Sequence, residues 1–278
     1  MQHFNPEISI NSGQVFLWEK HGDAWYGIHG QHVVKFSKTF QCFPEFKNIE
    51  NTIFRLDDDF AAISSEISKD PFVSGLLKSY PGLRLMRQDP EQCLFSFVCA
   101  SNTNIPMIRR MLYTLTRKFG KKIQADGIDF FTFPTAFELN KISEAELRQC
   151  GLGYRAKAVK AVAASIVSGR LDTDYLARAK YKDAKNELLN VYGIGNKIAD
   201  CVLLFSLEKT EAFPIDVWIA RALASNYSWL HGIKMSDKIT AHQYDVLSEK
   251  VRDYFGKYAG YAQQYIYYHM RQEAGKKW

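Results

Sequence analysis

The sequence predicts an α+β protein, a small N-terminal antiparallel β-domain followed by an all-helical body, and three observations carry that reading. Residues 13–43, GQVFLWEKHGDAWYGIHGQHVVKFSKTFQCF, alternate short β-branched and aromatic runs with the turn signals HGD and HG. From near Asp57 the apolar residues fall into helical spacing. Beyond Pro81-Gly82 the chain reads as helix throughout, which places the sheet domain at residues 1–88 and the helical domain at residues 89–278.

Composition sets the outer limits. The 278 residues make one large or two modest domains, and 46% hydrophobic with 24% charged residues suits an ordinary soluble globular chain rather than a disordered or fibrous one. The N-terminal MQHFNPEISINSG lacks a basic stretch followed by an apolar run, so no secretory signal is expected. No apolar run approaches the roughly 18 residues of a membrane span. Cys42, Cys93, Cys99, Cys150 and Cys201 are odd in number and never form C-x-x-C, which favours a reducing compartment and speaks against a zinc or iron–sulfur site. The default location is the cytoplasm or, in a prokaryote, the nucleoid. A net charge of +6 is compatible with a polyanionic partner without selecting one. The chain shows no solenoid repeat and no low-complexity segment.

The elements follow in order. Residues 13–43 read as an antiparallel meander, and residues 57–80 as helix interrupted by Asp70-Pro71. Pro106 sits at a helix start, where a missing N–H costs little. Ser143-Glu144-Ala145-Glu146 is a capping box whose helix should stop at Gly151. Residues 154–168 put Val159, Val162, Ala163 and Ile166 on one face, and a helix over residues 184–192 reaches Gly193 as its cap.

Residues 188–223 hold the chemistry. A helix ends at Gly193, the turn Gly193-Ile194-Gly195-Asn196 follows, and a new helix starts with Lys197, giving a helix-hairpin-helix near residues 188–207. Glycines at both turn positions leave backbone N–H groups open at a helix N-terminus, where the dipole favours an anion such as a DNA phosphate. A plain αα-corner uses glycine for the same steric reason, so the turn alone does not decide.

The helix after the turn has almost no polar face, yet it begins with a lysine that opposes the helix dipole. Such a lysine either snorkels to solvent or serves as an amine nucleophile. Lowering its pKa from about 10.4 to about 8 takes roughly 3 kcal/mol. The helix terminus supplies up to about 2 kcal/mol and partial burial the rest, so a depressed pKa is expected. Nineteen residues on, Asp216 stands just before another helix, where it would serve as an N-cap and, kept ionised by backbone N–H groups, could stabilise a developing cation.

With Lys197 and Asp216, this segment resembles the helix-hairpin-helix (HhH-GPD) superfamily of base-excision DNA glycosylases, and most closely the 8-oxoguanine DNA glycosylases. Supporting stretches are SGQVFLW at residues 12–18, LRLMRQDPEQCLFSFVCASNTNI at 83–105, GLGYRAKAV at 151–159 and YAGYAQQYI at 258–266. The resemblance implies a DNA cleft between the β-domain and the glycosylase body, base flipping, and a bifunctional DNA N-glycosylase/AP lyase. Lys197 would attack deoxyribose C1′ and form a Schiff base, with Asp216 stabilising the oxocarbenium-like transition state. The Gly13 carbonyl would accept from N7–H of 8-oxoguanine, Cys201 and Tyr267 would flank the flipped base, and Gln263 would bond its Watson–Crick edge. Asn102, Tyr154 and Arg155 would fill the hole and contact the estranged base, and Gly193 and Gly195 would meet the backbone. The partner so implied is double-stranded DNA containing 8-oxoguanine, met by a monomer away from membranes, with no required cofactor and no metal beyond a monovalent cation that hairpin carbonyls could hold.

Two positions depart from the family pattern. Met107 stands where eukaryotic members carry an arginine that reads the opposite cytosine, and a thioether cannot donate a hydrogen bond. Weak discrimination of the opposite base is therefore expected. Trp218 stands where those relatives have a phosphate-contacting histidine, while Tyr267 replaces a phenylalanine and keeps its stacking surface. Three alternatives remain: a glycosylase of the same superfamily for adenine or pyrimidine lesions, an alkyl-base glycosylase, and a non-catalytic DNA-binding module. The first commonly carries a four-cysteine cluster absent here, the second generally lacks the lysine, and the third leaves Lys197 unexplained.

Overall fold

The computed structural model describes residues 4–230 and 239–275. Four strands, β1 (Trp18–His21), β2 (Ala24–His29), β3 (His32–Phe36) and β4 (Phe40–Phe43), form an antiparallel meander in sequence order. Two-residue loops at Gly22-Asp23 and Gly30-Gln31 join the first three, and both glycines take the positive φ such turns require. The register places Trp18 opposite Gly27, whose missing side chain lets the indole lie flat on the strand: a Cβ there would fall 2.1 Å from the ring. The expected meander is present, as is the helical stretch broken at Asp70-Pro71, and the short helices Pro6–Ile10 and Ile49–Phe54 add to them. Helices Ile49–Phe54, Phe60–Ile67 and Pro71–Ser79 follow the sheet, the last two capped by Asp59 and Asp70.

The region beyond Pro81-Gly82 is not wholly helical. Strands β5 (Lys122–Ala125) and β6 (Ile128–Phe131) form a hairpin around Asp126-Gly127, which sit at φ 51 and 77. Asp-Gly between short apolar runs is a hairpin signal, and tertiary contacts secure it. Phe130 stacks on Tyr26 at 5.1 Å, and Asp126 accepts from the Tyr26 hydroxyl at 2.6 Å and pairs with Lys35 at 2.6 Å.

One buried core runs from Leu17, Ile28 and Val33 of the N-terminal part through Phe95 and Val98 to Leu203 and Ile266, so apolar packing is continuous across residue 88. Arg55, 1% exposed, adds a polar tie by reaching Glu208 at 2.7 Å. Three helices position the site. Pro90–Cys99 is buried from Gln92 onward and packs against Asn196–Ser206, with Phe97 and Phe205 stacked at 5.6 Å. The C-terminal helix Ala259–Glu273 comes so close that a Cβ on Gly260 would lie 2.1 Å from Leu204 Cδ1. No helix among the described residues is long and apolar enough to cross a membrane.

Candidate active site

The hairpin forms as expected with shifted bounds: its first helix, Tyr181–Leu189, ends before Gly193, and the second is Asn196–Ser206. The two glycines differ. Gly193 has φ +92 and a Cβ on it would lie 2.3 Å from Ala158 Cβ, whereas Gly195 has φ −100 and open space, so only the first is demanded by the fold. Gly195 is the N-cap residue, and no side chain caps the helix, which leaves its first N–H groups open at the surface.

Beside this terminus lies a cavity of about 1090 Å³ lined by Gly13, Asn102, Gly195, Lys197, Cys201, Asp216, Trp218, Gln263 and Tyr267. Residues far apart in sequence are thus brought to one space. Lys197 Nζ lies 5.1 Å from the Phe97 ring centroid, a contact that favours the ammonium form. Burial pushes the Lys197 amine down, but Cys201, Asp216 and Tyr267 outweigh it, and its pKa is raised rather than depressed. This corrects the sequence expectation, which counted burial and the helix dipole but not the groups facing the amine. Burial likewise pushes the Cys201 thiol up to about 12.

Asp216 is the N-cap of Val217–Asn226: one oxygen, Oδ1, accepts from Trp218 N at 3.0 Å and Ile219 N at 2.9 Å. The capping role and the cavity placement therefore coexist. Burial raises the Asp216 pKa against these amides, Lys197 and Arg271, so the N–H groups only partly offset desolvation.

Gly13 has φ +90, and a Cβ there would lie 2.6 Å from Tyr267 Cε1, so the ring rests directly on the glycine. The loop is fixed from both sides. Buried Gln14 donates to Arg84 O and Ser12 Oγ at 2.8 Å each, and Gln264 Nε2 donates to Ser12 O at 2.9 Å. Gln263 Nε2 donates to Pro214 O at 3.0 Å, which fixes the amide orientation and leaves Oε1 buried with no partner among the described residues. Arg271 Nη1 donates to the Tyr267 hydroxyl at 3.3 Å.

The remaining sequence candidates lie beside the cavity. Asn102 sits in a positive-φ turn at φ 47. Arg155 is buried and donates to the carbonyls of Ser101 at 2.9 Å and Asn102 at 3.2 Å, so in this structure it braces that turn. Tyr154, largely exposed, donates to Ser101 O at 3.1 Å. Met107 is exposed on the first turn of helix Ile105–Phe119 and does not line the cavity. Sequence reasoning missed Phe97, Gln14, Gln264 and Arg271, because their roles depend on contacts across the fold that no local spacing announces.

The site is thus a helix-hairpin-helix whose second helix presents a lysine to a cavity shared with a capping aspartate. Residues 95–247 match the HhH-GPD superfamily base excision DNA repair proteins and residues 1–94 match the 8-oxoguanine DNA glycosylase N-terminal domain. The N-glycosylase/DNA lyase OGG1 of Arabidopsis thaliana is 31% identical over 280 residues, covering 94% of this chain and 75% of that protein. The N-glycosylase/DNA lyase of Saccharomyces cerevisiae is 33% identical over 211 residues, 67% of this chain and 56% of the yeast protein. The fold superimposes on the Clostridium acetobutylicum 8-oxoguanine glycosylase/lyase in complex with DNA, with TM-score 0.87, 30% identity and coverage of 98% and 93%. The chain belongs to the HhH-GPD superfamily as an N-glycosylase/DNA lyase of the 8-oxoguanine type.

Proposed function

We propose that the protein removes 8-oxoguanine from duplex DNA through a covalent intermediate on Lys197, with weak discrimination of the opposite base. The observation that carries this is the single cavity shared by Lys197, Asp216 and the unpartnered Gln263 Oε1. Its volume, about 1090 Å³, accommodates a nucleoside-sized ligand, since small-molecule sites span roughly 300–1,000 Å³.

The orientation of Gln263 supports a guanine-derived base. With one N–H of its NH₂ committed to Pro214, the amide carries an unpartnered acceptor, Oε1, which suits the N1–H and N2–H donors of guanine better than the bare N1 of adenine. Leaving that buried oxygen unpaired costs about 1–3 kcal/mol, the right size for a selectivity element. Among the described residues nothing donates to the Gly13 carbonyl, which is therefore available to N7–H, the donor that 8-oxoguanine has and guanine lacks. Cys201 and Tyr267 would flank the ring.

In the reaction the neutral Lys197 amine bonds to C1′ as the C1′–N9 bond breaks, the electron pair leaves with the base, and the base takes the proton released by the newly formed ammonium. Entry of a base displaces water from around the amine and pushes its pKa down, countering the charged partners that hold it up in the free protein. Asp216 stabilises the positive charge that develops on the sugar. Ring opening then gives a Schiff base, from which loss of the C2′ proton expels the 3′ phosphate and nicks the strand. The open N–H groups at Gly195 suit a DNA phosphate, Trp218 offers an uncharged donor nearby, and Asn102, Tyr154 and Arg155 would occupy the space vacated by the base. A monovalent cation on the hairpin carbonyls would add to phosphate binding there.

Borohydride treatment with 8-oxoguanine duplexes bearing each of the four opposite bases tests this reading. A covalent adduct should form with all four and vanish in Lys197→Gln. Met107→Arg should add about 1–3 kcal/mol of preference for cytosine. Tight binding without any adduct overturns the mechanism, and strong cytosine selectivity in the wild type overturns the opposite-base assignment.

A further inference from the structure

Asp200 lies one turn beyond Lys197 on the same helix and is fully buried, a costly place for a carboxylate outside the cavity. Its partners compensate. Tyr181 Oη donates to Asp200 Oδ1 at 2.6 Å, while Lys185 Nζ and Tyr244 Oη donate to Oδ2 at 3.1 and 2.7 Å. Lys185 also donates to Tyr181 Oη at 3.1 Å and lies 5.0 Å from the Tyr244 ring centroid. With its one proton given to Asp200, the Tyr244 hydroxyl can only accept further, and it accepts from the Ile215 N–H at 3.1 Å. Ile215 directly precedes Asp216, and Tyr244 lines the cavity. Both hairpin helices, the helix Ala241–Phe255 and the loop before Asp216 therefore meet at one carboxylate.

We propose that Tyr244 is a positioning residue for base excision: braced by Asp200 on the lysine helix, its hydroxyl holds the Ile215 amide and so fixes the Asp216 carboxylate relative to the Lys197 amine. The proposal rests on the roles assigned above to Lys197 and Asp216. Stability alone does not call for this arrangement, because well-packed apolar residues of similar volume often match or exceed a buried ionic cluster. A hydrogen-bonded bridge, by contrast, sets the distance between two segments, and misplacing a reacting group by about 1 Å can cost about 100-fold in rate.

Single-turnover excision from an 8-oxoguanine duplex by Tyr244→Phe, which keeps the ring and removes one oxygen, is the test. The rate should fall about 10- to 100-fold. The Kd for a duplex carrying a non-hydrolysable abasic analogue should stay within about twofold, since no DNA contact is removed. In an Asp216→Asn background the same substitution should cost less than about threefold, because the carboxylate it positions is already gone. A wild-type rate for Tyr244→Phe, or an equal loss in both backgrounds, overturns the proposal. Should Tyr244→Phe fail to fold, the pair Lys185→Met and Asp200→Leu decides: it replaces the ionic centre by apolar volume, should show the same loss, and overturns the proposal if it excises at the wild-type rate. Failure of the underlying assignment would look different, since the wild type itself would then form no borohydride adduct.

Discussion

Lys197 is held in its charged form by what surrounds it. Burial would otherwise neutralise its amine, and Cys201, Asp216 and Tyr267 override that effect. An amine with a raised pKa is protonated across neutral pH, and its neutral fraction grows tenfold with each pH unit. Measured as kcat/KM on 8-oxoguanine duplex, excision should therefore rise about tenfold per pH unit between pH 7 and 9. A plateau below pH 8 would show that the amine is depressed in the free protein. On the acid side Asp216, its pKa raised by burial, should protonate above the ordinary carboxylate range and take activity with it. Lys197 and Asp216 were legible as candidates because one short segment carries both, while Cys201 entered only through the family resemblance. The orientation of Gln263 was not, because a carbonyl 49 residues away fixes it.

The hairpin shows that two glycines in one motif answer to different demands. Gly193→Ala should destabilise the fold by about 1–3 kcal/mol in denaturant unfolding, since it forces a side chain into positive φ and against Ala158. Gly195→Ala should unfold within about 0.5 kcal/mol of the wild type, since its Cβ meets open space, but bind duplex more weakly and with a shallower salt dependence, because that added methyl would occupy space a phosphate needs beside the uncapped amides. Unchanged DNA affinity in Gly195→Ala would remove the hairpin from the phosphate interface. Local signals gave most elements: the capping box at Ser143 and Glu146 forms as read, and the chain leaves the helical conformation at Gly151, φ 83. The β5–β6 hairpin is only faintly marked by Asp126-Gly127, because the flanking strands are four residues each and draw their support from Tyr26 and Lys35.

The N-terminal part and the helical body are joined by one apolar core and by the Arg55–Glu208 pair, whose members are unequally exposed at 1% and 49%. That asymmetry predicts an order of stability. Glu208→Ala leaves a buried guanidinium with only the Leu204 carbonyl at 3.4 Å and Asp58 at 3.9 Å, whereas Arg55→Met leaves a half-exposed carboxylate still paired with Arg87 at 3.0 Å. The first should be the less stable of the two by at least about 1 kcal/mol, read from thermal unfolding, and the reverse order would show that the Leu204 and Asp58 contacts, rather than Glu208, hold the Arg55 guanidinium. The sequence by itself determined the fold class, the hairpin, the candidate lysine and the capping carboxylate, because periodicity, turn chemistry and a lysine on an apolar helix are properties of neighbouring residues. The tertiary structure decided the protonation of Lys197, the direction of the Gln263 amide, the seat of Tyr267 on Gly13 and the brace through Tyr244. Each of these is an energy of interaction between segments that only folding brings within a few ångströms.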